Sequence, residues 1–262
     1  MERGPVVVTG ASGYIGSHIV ANLLSKGMRV RATVRDLEDP ERVAHLKSMD
    51  IAEGGDIEIV EMDLFDPESV NSAISGCTDL IHTAATVIVR SRDPQRKIVD
   101  PSVIGTRNVI SAVERSGTIE RFVHTSSTAA IRPMEWKDGS TLTADIWAND
   151  ATLENNPYGL AKVSAEKIVR DWHASLESGT RPRLVTIHPC MVFGPPLSPR
   201  HLRGSLAILM AMIRRTVPLS LPMQINIVDV RDVAEAHVRA LEEGQEEGRY
   251  LTVSGDMMMT DI

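Results

Sequence analysis

Strand-like and helix-like patterns alternate from the first residues of this chain, and that rhythm constrains its fold more than any other feature. Residues 5–9 form a short apolar, β-branched run that ends in a glycine. Residues 14–26 then carry Ile15, Ile19, Val20, Leu23 and Leu24 at the spacing of one helix face, which Gly27 closes. The same reading predicts strands over 29–35, 57–62, 79–84, 121–125 and 184–188, with helices over 40–49, 67–74, 98–115 and 157–176 between them. Strands separated by helices of this length need crossover connections, so they pair in parallel and are covered on both faces. The predicted fold class is therefore α/β, a doubly wound parallel sheet. Beyond Pro189 the rhythm breaks. Residues 194–224 are rich in Pro, Arg and Met around one apolar helix near 205–213, and a strand (225–228), a helix (230–241), an acidic turn (242–248) and a strand (249–253) follow. This predicts a main domain over 1–188, to which 225–240 returns, and a small annex made of 189–224 and 241–262. Thr260-Asp261 reads as a helix N-cap, so the annex is expected to continue beyond the last residue.

Length and composition narrow the class. At 262 residues, 42% hydrophobic and 24% charged, the chain can bury a substantial core and is neither disordered nor of low complexity. Its formal charge of −7 and the lack of a Lys/Arg block argue against nucleic-acid or anionic-membrane partners. Cys77 and Cys190 form no framework, which suits a reducing compartment. No apolar run approaches the roughly 18 residues a bilayer span needs. Met1-Glu2-Arg3-Gly4-Pro5 leads straight into a strand, so a cytoplasmic protein without a leader is expected. The eight histidines show no metal-binding spacing, and no metal is expected. There is no Gly-x-Ser-x-Gly elbow of a serine hydrolase.

Thr9-Gly10-Ala11-Ser12-Gly13-Tyr14-Ile15-Gly16 joins the first strand to the first helix. Glycines 10, 13 and 16 allow a tight turn, approach of backbone to a pyrophosphate, and close helix–strand packing. The helix start adds unpaired N–H groups and positive dipole, so Gly10, Ser12, Gly13, Tyr14, Ile15 and Gly16 form a candidate dinucleotide cradle. The second strand ends Thr33-Val34-Arg35-Asp36. An acidic residue there accepts from a ribose 2′-OH, whereas an arginine pairs with a 2′-phosphate. Arg35, with Arg42 as a second clamp, points to NADP(H) rather than NAD(H), although Asp36 could itself take the acceptor role. Asp63, ending the third strand, is a candidate for the adenine, and Ala84 and Ala85 leave room for the cofactor chain.

Tyr158-Gly159-Leu160-Ala161-Lys162 sets a phenol and an ammonium one helical turn apart. A free tyrosine titrates near 10, too high for proton traffic at neutral pH; an adjacent ammonium favours the phenolate. Tyr158 could then donate a proton to a carbonyl oxygen as hydride arrives at carbon. Thr125-Ser126-Ser127-Thr128 ends the fifth strand, at the carboxyl edge where such sheets bind ligands, and a hydroxyl there could hydrogen-bond the same oxygen. The competing reading of such a cluster is a loop capping its own backbone. His188 could touch substrate but reads first as a packed structural histidine, and Met210, Met212 and the 257–259 methionines could line an adaptable apolar pocket but read first as core or interface packing.

Together the motifs at 9–16, 33–36, Asp63-Leu64, 125–127, 158–162, 188–195 and 228–236 resemble the extended short-chain dehydrogenase/reductases, and most closely their dihydroflavonol-4-reductase-like branch. The resemblance spans residues 6 to about 240. It implies reduction of a ketone or aldehyde with NADPH by a Ser–Tyr–Lys triad that falls on Ser127, Tyr158 and Lys162. Leu64 joins the cofactor-binding set, Pro189 and Val192 fall where backbone lies near the nicotinamide, and a homodimer is implied. Three positions depart from the pattern: Ser102 stands where many relatives carry Asn, Ala161 where Ser is commoner, and 128–133 lacks the Val-Tyr-Gly of nucleotide-sugar enzymes. The alternatives are an NAD-dependent nucleotide-sugar epimerase or dehydratase, a steroid-type dehydrogenase, and a non-catalytic NADP-sensing regulator.

Overall fold

The computed structural model describes residues 3–85, 88, 91–135, 139–214 and 224–258, with Met212 described by its backbone alone. The side chain of Met212, Met259 and the cap read at Thr260-Asp261 lie outside the described residues. The order along the chain is β1 (Val6–Thr9), α1 (Tyr14–Ser25), β2 (Arg29–Val34), α2 (Pro40–Lys47), β3 (Asp56–Glu61), α3 (Pro67–Ile74), β4 (Asp79–His82), α4 (Asp100–Ser116), β5 (Arg121–Thr125), α5 (Pro157–Ser175), β6 (Arg183–Pro189), β7 (Met191–Phe193), α6 (Ser205–Ile213), β8 (Gln224–Asp229), α7 (Val230–Arg239), β9 (Gly248–Thr252) and β10 (Gly255–Met258).

Seven strands form one parallel sheet in the order β3-β2-β1-β4-β5-β6-β9, as the strand–helix alternation predicts. Alternate residues of each central strand feed different cores. Val6, Val8, Ile81, Val123, Val185 and Ile187 pack on the face covered by α1, α2 and α7. Val7, Leu80, Phe122 and Leu184 pack on the face covered by α3, α4 and α5. Both faces of these strands are apolar because both are covered. At the opposite edge from the candidate site, the guanidinium of Arg121 closes on Asp79, an ion pair buried at the amino ends of β4 and β5.

The final third is distributed differently from the expectation. The strand expected in the annex becomes β9 and pairs with β6 in the main sheet. The strand expected to return to the main domain becomes β8, in a small sheet of order β10-β8-β7. Only α7 returns, burying Ala234 and Val238 in the core over α1, while Glu235 accepts from Asn22 at 2.9 Å. The reason is backbone satisfaction: without β9 the outer edge of β6 would leave its N–H and C=O groups unpaired. A five-residue strand pattern does not say which edge it will pair with. β7 and β10, three and four residues long, are too short for a period to show.

Candidate active site

The crevice begins where the strand order reverses, between β1 and β4. The Thr9 hydroxyl oxygen lies 2.7 Å from His82 Nδ1 and accepts the N–H groups of Thr83 and Ala84 at 3.1 and 3.2 Å. That bonding ties the two strand ends together under the glycine turn. Gly10 has φ +69, and a Cβ on it would stand 2.8 Å from Ala84 Cα. A Cβ on Gly16 would stand 2.3 Å from the Gly10 carbonyl oxygen. Both neighbours are backbone and cannot yield, so the turn admits no side chain at either position. Asp39, Asp66, Asn156 and Asp229 cap α2, α3, α5 and α7 with their side chains, whereas α1 starts at Gly13 with no side-chain cap. Its first-turn N–H groups remain for an anion, and the cradle fits a pyrophosphate.

Other candidates for the cofactor occupy distinct settings. The Tyr14 ring packs against Val192, Val228 and His18, its hydroxyl is buried without a partner, and burial with nearby Asp229 pushes its pKa up to about 12. Ile15 also packs inward, so Tyr14 and Ile15 can offer the cradle only their main chain. The Ser12 carbonyl lies 3.3 Å from His201 Nε2. Arg35 ends β2 exposed and makes no hydrogen bond or ion pair among the described residues, while Asp36 Oδ1 accepts Glu38 N–H at 2.9 Å. Arg42 is already paired with Asp39 at 2.9 Å, a carboxylate that Arg200 also approaches at 3.2 Å. Asp63 Oδ1 accepts Phe65 N–H at 3.0 Å. Leu64 abuts Gly105, and its carbonyl accepts Asn108 Nδ2 at 2.7 Å. Ala84 is pressed against Gly10, and Ala85 is half-buried.

At the carboxyl end of β5, Lys162 is buried and donates to the Thr125 carbonyl at 3.2 Å. One turn earlier on α5, Tyr158 is half-buried and its hydroxyl makes no hydrogen bond among the described residues. The two serines divide sharply. Ser126 is buried and its hydroxyl donates to Glu166 at 2.7 Å. Ser127 is half-buried and its oxygen accepts Ala129 N–H at 3.1 Å, which leaves its own proton undirected. Thr128 donates to the Pro189 carbonyl at 3.3 Å, and the Val192 carbonyl accepts the Ser205 hydroxyl at 2.6 Å. Ser102 Oγ donates to the Ile98 carbonyl of its own helix at 3.1 Å.

Sequence reasoning missed the support beneath this pair. Glu166, four residues after Lys162, is fully buried and accepts from Ser126, from His188 at 2.8 Å, from Arg249 at 2.7 Å and from Arg170 at 3.1 Å. Burial opposes its ionisation, but the bonds from His188 and Arg249 outweigh that and hold its carboxyl well below the usual range. Arg249 also stacks over Trp147 at 3.8 Å, and its bond to Glu166 ties β9 to α5. His82, buried beside Lys162, is driven down to about 3 by burial and by that ammonium. The available signals were a glutamate continuing the Tyr158–Lys162 stripe, and Asn156-Pro157, a cap followed by a first-turn proline. Among the described residues no group of three His, Cys, Asp or Glu side chains could hold a metal ion.

A seven-stranded parallel sheet with an uncapped glycine turn at its switch point and a Tyr–Lys helix at the same edge defines a nucleotide-dependent α/β oxidoreductase architecture. The chain belongs to the NAD dependent epimerase/dehydratase family, whose pattern matches residues 6–253. It is 36% identical over 258 residues to cinnamoyl-CoA reductase CAD2 of Medicago truncatula, covering 95% of this chain and 75% of that one. It is 32% identical over 260 residues to dihydroflavonol 4-reductase of Hordeum vulgare, covering 97% and 72%. Among solved structures it resembles Gre2 in complex with NADPH from Candida albicans, with a TM-score of 0.83 at 29% identity, covering 97% and 79%. These similarities put it in the dihydroflavonol-4-reductase-like branch. Among the described residues no helix is long and apolar enough to cross a membrane.

Proposed function

We propose that this chain is an NADPH-dependent reductase of a ketone or aldehyde, reversible as an alcohol dehydrogenase, with Ser127, Tyr158 and Lys162 at its centre. Its relatives include a cinnamoyl-CoA reductase and a dihydroflavonol 4-reductase, and the similar structure of Gre2 is a complex with NADPH. The observation that carries the assignment is the pairing of two hydroxyls with free protons, Ser127 and Tyr158, with a buried ammonium at the carboxyl edge. Bound NADPH supplies hydride to the carbonyl carbon. Ser127 donates a hydrogen bond to the carbonyl oxygen and stabilises its growing charge. Tyr158 transfers its phenolic proton to that oxygen. Lys162, fixed by the Thr125 carbonyl, stabilises the phenolate that remains and keeps two further N–H donors for a ribose. Gly10 to Gly16 hold the pyrophosphate, Arg35 the 2′-phosphate, and Asp63 the adenine.

Replacing Tyr158 with Phe removes the phenolic hydroxyl, and with it the transferable proton, and keeps the ring. Turnover of an aldehyde panel is expected to fall about 10²–10⁴-fold, with NADPH binding retained in a fluorescence titration. Near-normal turnover in that variant overturns the assignment. The nucleotide-sugar alternative is not favoured, because the relatives are named as reductases. We further place the protein in the cytoplasm, acting on a small molecule, as a homodimer.

A further inference from the structure

We propose that the carbonyl substrate carries an anionic group, a carboxylate or a phosphate ester, which Arg132 and Asn156 bind in a cavity beside the hydride-transfer centre; this rests on the reductase reading above. The cavity, about 420 Å³, is lined by Thr128, Ala129, Arg132, Pro133, Met134 and Asn156. It adjoins the reacting groups through the chain: Thr128 follows Ser127, and Asn156 stands two residues before Tyr158. Its size fits a small organic substrate.

The lining is chemically one-sided. Among the described residues it contains no carboxylate. The Arg132 guanidinium makes no hydrogen bond or ion pair among the described residues, in a chain of net charge −7. Around the site other arginines are already matched: Arg170 and Arg249 by Glu166, Arg42 and Arg200 by Asp39. Asn156 turns its oxygen to Gly159 N–H at 2.9 Å, so its amide N–H₂ is the end left over. Thr128 is tied to the Pro189 carbonyl, and Ala129, Pro133 and Met134 supply apolar walls. Two unmatched donor groups against apolar walls suit a carboxylate or phosphate, which a guanidinium grips through paired N–H bonds.

The loop that carries Arg132 is held before any ligand arrives. Arg132 N–H bonds Thr128 O at 2.9 Å, and Ala148 N–H bonds Ala130 O at 2.9 Å. Asp150 accepts the Met134 and Glu135 N–H groups at 2.8 and 3.0 Å, so this carboxylate serves the loop's backbone. With the loop backbone tied, only the Arg132 side chain has to be ordered when an anion binds.

The test compares matched carbonyls by NADPH consumption: terephthalaldehydic acid against its methyl ester, and glycolaldehyde phosphate against glycolaldehyde. The wild-type protein is expected to favour the charged member of one pair by about tenfold or more in kcat/KM. The pair that shows it identifies the anion. In Arg132→Ala the ratio should collapse towards one, and in Arg132→Glu it should invert. The readout is the ratio within a pair, so a general loss of rate does not imitate it. Equal use of both members of both pairs, or a preference that survives in Arg132→Ala, overturns the proposal. Binding of benzoate and inorganic phosphate to the NADP⁺-loaded protein, followed by ligand-observed NMR, separates the two readings. Binding that depends on Arg132 without turnover of any carbonyl sustains the anion site and sinks the reductase assignment. Turnover of neutral carbonyls without Arg132-dependent binding of either anion does the reverse.

Discussion

Arg35 and Arg42 show how a single residue's role depends on what its neighbours have already taken. Both were candidates for a 2′-phosphate from their position after β2. Among the described residues Arg35 has no partner just after β2, whereas Arg42 is committed to Asp39, so the two are not equivalent. Arg35→Ala is therefore expected to lower the preference for NADPH over NADH by about 10–100-fold, the loss of a charge-assisted contact, as read from KM for each cofactor. An unchanged preference would mean the 2′-phosphate is held elsewhere. The serine pair teaches the same lesson. Ser126 and Ser127 are adjacent and chemically identical, yet Ser126 gives its proton to a buried carboxylate and Ser127 keeps its own. The glycines need less context, because a Cβ at Gly10 or Gly16 would meet backbone.

At the scale of elements, α5 organises the site. Tyr158, Lys162, Glu166 and Arg170 follow one another every four residues, so one stripe of the helix meets the ends of β5 and β6. The first two are the residues proposed for the chemistry; Glu166 anchors the helix to Ser126, His188 and Arg249, and Arg170 anchors it to Thr186 and the Glu247 carbonyl. Removing Glu166 leaves His188 buried without its acceptor and takes from Arg249 the carboxylate it is paired with. Glu166→Ala is expected to cost about 3–5 kcal/mol, measured as a shift in the urea or thermal unfolding midpoint. Asp66→Ala, which removes only the side-chain cap of α3, should cost about 1 kcal/mol. Similar costs for both would show that the Glu166 cluster does not hold the helix.

Over the whole molecule, burial holds histidines neutral. His18, His45, His82, His124, His188, His201 and His237 are all shifted down, with burial as the leading cause in each. His201 and His237 fall to about 4, and His82 to about 3. The unfolded chain binds protons at these groups near pH 6.5, and the folded chain does not. Stability is therefore full above about pH 6.5 and declines as pH falls towards 4. Glu166, held below its ordinary range, adds a loss in the same direction at lower pH. Unfolding midpoints followed from pH 8 to pH 4 should drop steeply below about 6.5; a flat profile across that window contradicts the buried, neutral histidines.

The alternation of strand and helix, the glycine turn and the Tyr158–Lys162 spacing were legible in the chain because each is set by local periodicity or by fixed offsets along one element. Those features determined the doubly wound sheet, the cofactor-binding edge and the chemistry expected there. Which sheet β8 and β9 join was decided only in three dimensions, because an edge strand pairs with whichever backbone lies open beside it. The same holds for Glu166, Arg249 and Arg132. Their roles depend on which opposite charges folding brings within reach, and ion pairs between residues as far apart as 166 and 249 leave no spacing in the sequence to read.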